Sequence, residues 1–131
     1  MGHEMREEIN KFRDFLKENS EEKLNISDVS DSLNILSDYF YDNGFLTKMY
    51  IKDKDIYLMD FKRGNSTLSG TDVMKMITEF ADKNNLNIKL VASPLYMEQN
   101  KLISFYKKFG FQIIGDYYNM GKEMIRYSNY H

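Results

Sequence analysis

The stretch from Gln99 to Ile113, "QNKLISFYKKFGFQI", decides how the rest of the chain is read. Leu102, Phe105, Tyr106 and Phe109 recur at helical spacing along one apolar stripe, so a helix is expected from Gln99 to Phe109. Gly110 is its stop, because glycine adopts the left-handed conformation that ends helices, and Phe111 to Ile114 then reads as a strand. Phe105, Phe109 and Phe111 are core residues on this reading. Tyr106 differs from them, since phenylalanine fills a purely packed position as well, and its hydroxyl asks for a role.

Working outward, Leu86, Ile88, Leu90 and Ala92 alternate with Asn87, Lys89 and Val91, which predicts a strand ended by Pro94. Val73, Ile77, Phe80 and Ala81 mark a helix before it. Thr47, Met49 and Ile51 alternate with Lys48 and Tyr50, and the polar turn Lys52 to Asp55 leads into Ile56 to Phe61, so an antiparallel hairpin is expected. Two helices come first: Glu4 to Asn19 with Met5, Ile9, Phe12 and Leu16, and Ser27 to Asp42 with Val29, Leu33, Leu36 and Phe40. Ser27 is a candidate cap for the second, and Asn43-Gly44 its stop. Glu123 to Tyr127 is the closing strand. This order suits a single α+β layered domain, residues 1–131, with helices on both faces of a mixed sheet.

Composition narrows the chemistry. With 131 residues, 42% hydrophobic and 29% charged, the chain has the make-up of one globular domain. No cysteine is present, which removes thiolate catalysis and thiolate metal sites, and only His3 and His131 are available as imidazoles. No metal is therefore expected. No apolar run approaches the roughly 18 residues that span a bilayer, and the start is charged rather than signal-like, so the expectation is a cytoplasmic protein without a membrane partner. A formal net charge of -2 with lysines spread along the chain argues against nucleic acid.

A second segment, "SGTD" from Ser69 to Asp72, opens the third helix. Ser69 with Asp72 fits a capping box, a local structural device. The same small residues also leave backbone N–H groups open at a helix start, where the dipole favours phosphate. Both readings stay open.

Taken together and in this order, the two segments resemble the GCN5-related N-acetyltransferase (GNAT) family over roughly Leu46 to Tyr127, with the two leading helices, about 4–42, where that family keeps its variable substrate-side helices. The resemblance implies a mostly antiparallel central sheet and acetyl-CoA as co-substrate. It assigns the strand end Asp60, Phe61 and Lys62 and the turn Leu68, Ser69, Gly70 and Thr71 to the cofactor, with pyrophosphate on backbone N–H groups. The family's later motif places an Asn at a helix start, then a Tyr, then Gly-Phe four and five residues on; Tyr106, Gly110 and Phe111 match it. Gln99 stands where the Asn is most often found, and Asn100 one position late, so either is its counterpart. The closing "EMIRY" resembles the family's Met- and Arg-containing last strand. The family turn carries two further marks, and Asn65 and Leu68 stand in their places; a leucine there narrows the space for pyrophosphate.

Acyl transfer from a thioester to an amine needs a deprotonated amine, a stabilised tetrahedral oxyanion and a proton donor for the departing thiolate. Tyr106 is the candidate general acid, and the resemblance implies an oxyanion held by a backbone N–H near Phe61 or Lys62, where two central strands splay. Asp60 alternates with Ile56 and Leu58 and is expected on their face, as a surface or a site group. Tyr39, Tyr41 and the loop from Asp116 to Gly121 are candidate walls for an amine acceptor, a small molecule or a protein. The alternative is a GNAT-shaped binding module that has lost catalysis. A homodimer through an exposed last strand is also left open.

Overall fold

The computed structural model describes Phe12 and residues 26–93, 98–118 and 121–128. The elements run α1 (Ile26–Asp42), β1 (Phe45–Lys52), β2 (Asp55–Arg63), α2 (Gly70–Lys83), β3 (Asn87–Ala92), α3 (Gln99–Lys107), β4 (Gln112–Asp116) and β5 (Lys122–Arg126). The five strands form one sheet in the order β1-β2-β3-β5-β4, antiparallel except for the β2–β3 pair. The first expected helix lies outside the described residues save for Phe12, which is helical and buried, its ring 5.6 Å from that of Tyr39. Helix α1 begins at Ile26, one residue before the expected cap Ser27.

Apolar periodicity explains what each element buries. Leu33, Leu36 and Phe40 of α1 and Val73, Met74, Ile77 and Phe80 of α2 are all within 1% of complete burial. Directly paired strand residues share a face, so Ile56 with Ile88, Leu58 with Leu90, and Leu90 with Met124 form a continuous apolar row across three strands. Each such side chain contributes about 1.5–3 kcal/mol by leaving water. On the same face Arg126 is 8% exposed and ties three elements together. Its guanidinium grips the Asp82 carboxylate of α2 in a bidentate pair at 2.8 and 2.9 Å, and its Nε donates to the Phe109 carbonyl at 2.7 Å.

Two strands carry an extra residue. Lys48 pairs with Asp60 but Met49 with Leu58, so Met59 bulges out of β2. The bulge advances the alternation by one. Phe61, opposite Thr47, therefore stays on the face of Ile56 and Leu58, while Asp60 turns to the other face and is exposed. This corrects the expectation that Asp60 shares the face of Ile56 and Leu58; uniform alternation takes no account of an inserted residue. In β4 the register shifts between Ile113 and Gly115, which leaves Ile114 as the extra residue. The last strand, β5, is not a free edge: it lies between β3 and β4, and the edges are β1 and β4, the latter with Ile113 and Ile114 both exposed. No described helix is long and apolar enough to cross a membrane.

Candidate functional site

The site is organised by where the one parallel pair comes apart. β2 and β3 are in register from Asp55–Asn87 to Leu58–Leu90, and there the pairing stops. β2 continues through Met59 to Arg63 against β1 alone. A bulge sharpens local twist and bends the bulged strand, and Met59 sits at the point of departure. One backbone edge of Met59 to Arg63 is thereby left without a strand partner, next to the carboxyl ends of two parallel strands, the usual place for ligands in such sheets.

The start of α2 lies beyond that opening. Ser69 caps the helix: its Oγ accepts from the Asp72 N–H at 3.1 Å, while the Asp72 carboxylate accepts from the Ser69 N–H at 3.0 Å and the Ser69 hydroxyl at 2.8 Å. The capping box is therefore real, and the N–H of Val73 is also used, donating to the Ser69 carbonyl. The N–H groups of Gly70 and Thr71 have no partner among the described residues, as the first turn of a helix requires. Leu68 does not crowd this end. Its side chain is 2% exposed and belongs to the core, and its N–H donates to Ser66 Oγ at 3.0 Å. The expected narrowing by Leu68 is thus not what the fold delivers, because the side chain points inward.

Helix α3 supplies the opposite wall. At its end the N–H of Gly110 donates to the Lys107 carbonyl and that of Phe111 to the Tyr106 carbonyl, with Gly110 at φ +92°. This is a Schellman stop, and its usual apolar contact is made by the rings of Tyr106 and Phe111, 5.6 Å apart. Tyr106 also meets Phe61 of β2 at 6.3 Å and Phe105 at 5.5 Å. Burial pushes its phenol up to about 12, because the phenolate would lose hydration. No hydrogen bond to its hydroxyl occurs among the described residues, so the ring is explained by packing and the hydroxyl is not.

Phe105 joins the two walls. A Cβ on Gly70 would lie 3.5 Å from the tip of the Phe105 ring and 3.6 Å from that of Phe61. The structure therefore brings Phe61, Gly70 and Phe105 together, with Tyr106 beside Phe61 and Leu68, Ser69 and Thr71 in the adjoining turn. Asp60 and Lys62 flank Phe61 on β2 but are exposed and point to the other face. Gln99 and Asn100 form the first turn of α3; Asn100 is exposed and lines a groove of about 350 Å³ with Lys101, Ser104, Phe105 and Lys108. Sequence reading passed over Lys101, Ser104 and Lys108. The signal was present, since Lys101, Phe105 and Lys108 follow an i, i+4, i+7 pattern.

The expected acceptor walls are more scattered. Tyr39 is half-buried between Phe12 and Phe40, whereas Tyr41 is 71% exposed. In the β4–β5 loop Tyr117 and Tyr118 meet edge to face at 5.1 Å, and Asp116 pairs with Lys122. Gly121 ties this loop to the end of β3: at φ +144° its Cα is so close to the Ala92 carbonyl that a Cβ would lie 2.2 Å from the oxygen. Among the described residues no group of three or more His, Asp or Glu is placed to hold a metal ion.

No family model matches the chain. No curated protein matches it either. Among solved structures, the crystal structure of anti-CRISPR protein AcrVA5 superposes with a TM-score of 0.49 at 23% identity, covering 63% of this chain and 88% of that one. PaiA N-acetyltransferase from Thermoplasma acidophilum, solved in complex with coenzyme A, superposes with a TM-score of 0.52 at 12% identity, covering 74% of this chain and 70% of that one. The chain has the GCN5-related N-acetyltransferase fold, in a form divergent in sequence.

Proposed function

We propose that this protein is an N-acetyltransferase that moves an acetyl group from acetyl-CoA to an amine. The observation that carries the reading is the parting of β2 from β3 after Leu58–Leu90, with the free N–H groups of Gly70 and Thr71 on one side and Tyr106 on the other. Acetyl-CoA supplies the activated acyl thioester. Gly70 and Thr71 take the pyrophosphate through their N–H groups and the helix dipole. Leu68 and Ser69 shape the turn, Asp60, Phe61 and Lys62 form the strand edge along the pantetheine arm, and Asn100 serves its amides.

In the reaction the amine nitrogen bonds to the acyl carbon, the C–S bond breaks, and the amine proton passes to solvent. A backbone N–H near Phe61 or Lys62, on the β2 edge without a strand partner, stabilises the oxyanion. Tyr106, the general-acid candidate, acts by holding its O–H hydrogen-bonded to the departing sulfur, which stabilises the developing thiolate. A phenol pushed up to about 12 is neutral throughout the working range, which suits a donor. Complete transfer to a thiolate of ordinary pKa, about 8.5, is uphill by about 5 kcal/mol. The thiolate therefore leaves hydrogen-bonded to Tyr106 and takes its proton in exchange with water.

A thermal-shift titration tests the reading. Acetyl-CoA at 100 times its dissociation constant adds about 2.7 kcal/mol and raises Tm by several degrees. No shift at millimolar acetyl-CoA would sink the proposal. A second reading, a GNAT-shaped binding protein without acyl transfer, is favoured by the Asp72 carboxylate, which stands in the first turn of α2 and opposes an anion there. Binding of acetyl-CoA without release of free thiol in the presence of a panel of amines would select it.

A further inference from the structure

We propose that Gly44 and Gly64 are positioning residues for the coenzyme: a backbone clasp between them sets where the N–H groups of Gly70 and Thr71 stand. This rests on the acyl-CoA reading above.

β1 and β2 pair as far as Phe45 and Arg63. One more bond follows, from the Gly64 N–H to the Gly44 carbonyl at 3.0 Å, and the two chains then part, one toward the end of α1 and the other toward α2. They part at very close quarters. A Cβ on Gly44 would lie 2.5 Å from the Asn65 carbonyl oxygen, and one on Gly64 would lie 2.7 Å from the Gly44 oxygen. Both obstacles are backbone atoms, which cannot swing aside as the end of a side chain does. Gly44 also stands at φ +80°, in the left-handed region, and its own N–H donates to the Tyr41 carbonyl at 3.0 Å to close α1. One glycine therefore ends a helix and holds a loop.

That loop leads directly to the proposed phosphate donors. Arg63 Nη2 donates to the Ser66 carbonyl at 3.0 Å, and Ser66 Oγ accepts from the Leu68 N–H at 3.0 Å. Leu68 is anchored in the core at 2% exposure, and Ser69 caps α2. Pinned at each of these points, the loop has little slack, so a displacement at Gly64 passes on to Gly70 and Thr71. Donors held in place before the ligand arrives lower the cost of binding it. Moving one of them out of hydrogen-bonding range of a phosphate oxygen should weaken binding about tenfold.

Calorimetric titration with acetyl-CoA tests the clasp. Gly64 lies outside the left-handed region, so alanine there is opposed only by the close approach. Gly64→Ala should bind acetyl-CoA about tenfold more weakly while Tm falls by no more than a few degrees. Gly115→Ala is the control, because a Cβ there meets nothing within 4 Å, and it should change neither quantity. Affinity within twofold of the parent in folded Gly64→Ala would overturn this inference and leave the acyl-CoA reading standing, and so would equal weakening in Gly115→Ala. Failure of the unaltered protein to bind acetyl-CoA at millimolar concentration would overturn both.

A second measurement needs no substitution. Coupling is reciprocal, so a clasp that raises affinity tenfold is itself stabilised about tenfold by the ligand. Amide exchange followed by NMR at saturating acetyl-CoA should slow the Gly64 N–H about tenfold. The Asn87 N–H, which donates to the Lys54 carbonyl at 2.9 Å beside the other end of β2, should be unaffected. Unchanged exchange at Gly64, or equal slowing at both amides, would overturn the inference.

Discussion

From Asp55 to Leu58, β2 is hydrogen-bonded to a strand on each side, whereas from Met59 to Arg63 it is bonded to β1 alone. The paired half alternates half-buried and buried residues, with Ile56 and Leu58 in the core; the open half has one half-buried ring, Phe61, among exposed neighbours. A single inserted residue, Met59, separates the two. A strand can thus be scaffold over four residues and present a free backbone edge over the next five. The energies of the two halves differ accordingly: hydrophobic burial in the first, hydrogen-bonding capacity held in reserve in the second.

The largest expected effect breaks the paired half. Leu58→Ala removes a side chain that is 3% exposed and leaves a cavity, which should cost about 3 kcal/mol and lower Tm by about 10 °C in thermal melts. A loss under 1 kcal/mol would mean that the pairing ends before Leu58.

On the open side, Tyr106→Phe should leave the ring packing intact and lower kcat by about 100-fold. Turnover unchanged across pH removes Tyr106 from the chemistry. The same variant has a signature in stability. A phenol raised from 10.0 to about 12 by burial holds its proton more tightly when folded than when unfolded. Its contribution is fully present below pH 10 and is lost as pH rises through 12, on the order of 2–3 kcal/mol in all. Denaturant unfolding of Tyr106→Phe should lack that part of the alkaline loss.

Gly70→Ala is smaller. A Cβ there meets Phe105 and Phe61 at ordinary contact distances, so Tm should stay within a degree or two. It fills space between α2 and the two rings, and acetyl-CoA affinity should fall about tenfold, or about 1.4 kcal/mol. Unchanged affinity would place the ligand elsewhere.

Asp60→Asn should change least, within about 0.5 kcal/mol of stability, because the side chain is exposed. A tenfold drop in kcat would instead identify Asp60 as the base and give the open half of β2 a side-chain role.

Legibility followed range along the chain. The capping box at Ser69 and Asp72 and the stop at Gly110 were readable because each is completed within five residues. Helix and strand identities among the described residues were readable from period, whereas Tyr106, Gly110 and Phe111 were singled out only through the resemblance to the family's motif. The bulge at Met59 was not readable: "IYLMDF" alternates acceptably in either phase, and the choice is made by the partner strand β1. Leu68 looked like an intrusion on the turn because sequence does not say which way a loop side chain points. Arg126 was legible only as part of a resembling strand, since its partners Asp82 and Phe109 are 44 and 17 residues away.

By itself, then, the sequence determined which of the described segments are helix or strand, how α2 begins and how α3 ends. These are matters of local backbone geometry and apolar period. Tertiary structure alone decided that β2 leaves β3 after Leu58, that Phe61 rather than Asp60 faces the helices' core, and that Phe105 closes on Gly70. Each of these depends on where two distant segments stop touching or begin to. Pairing energy between such segments leaves no mark in either one read alone.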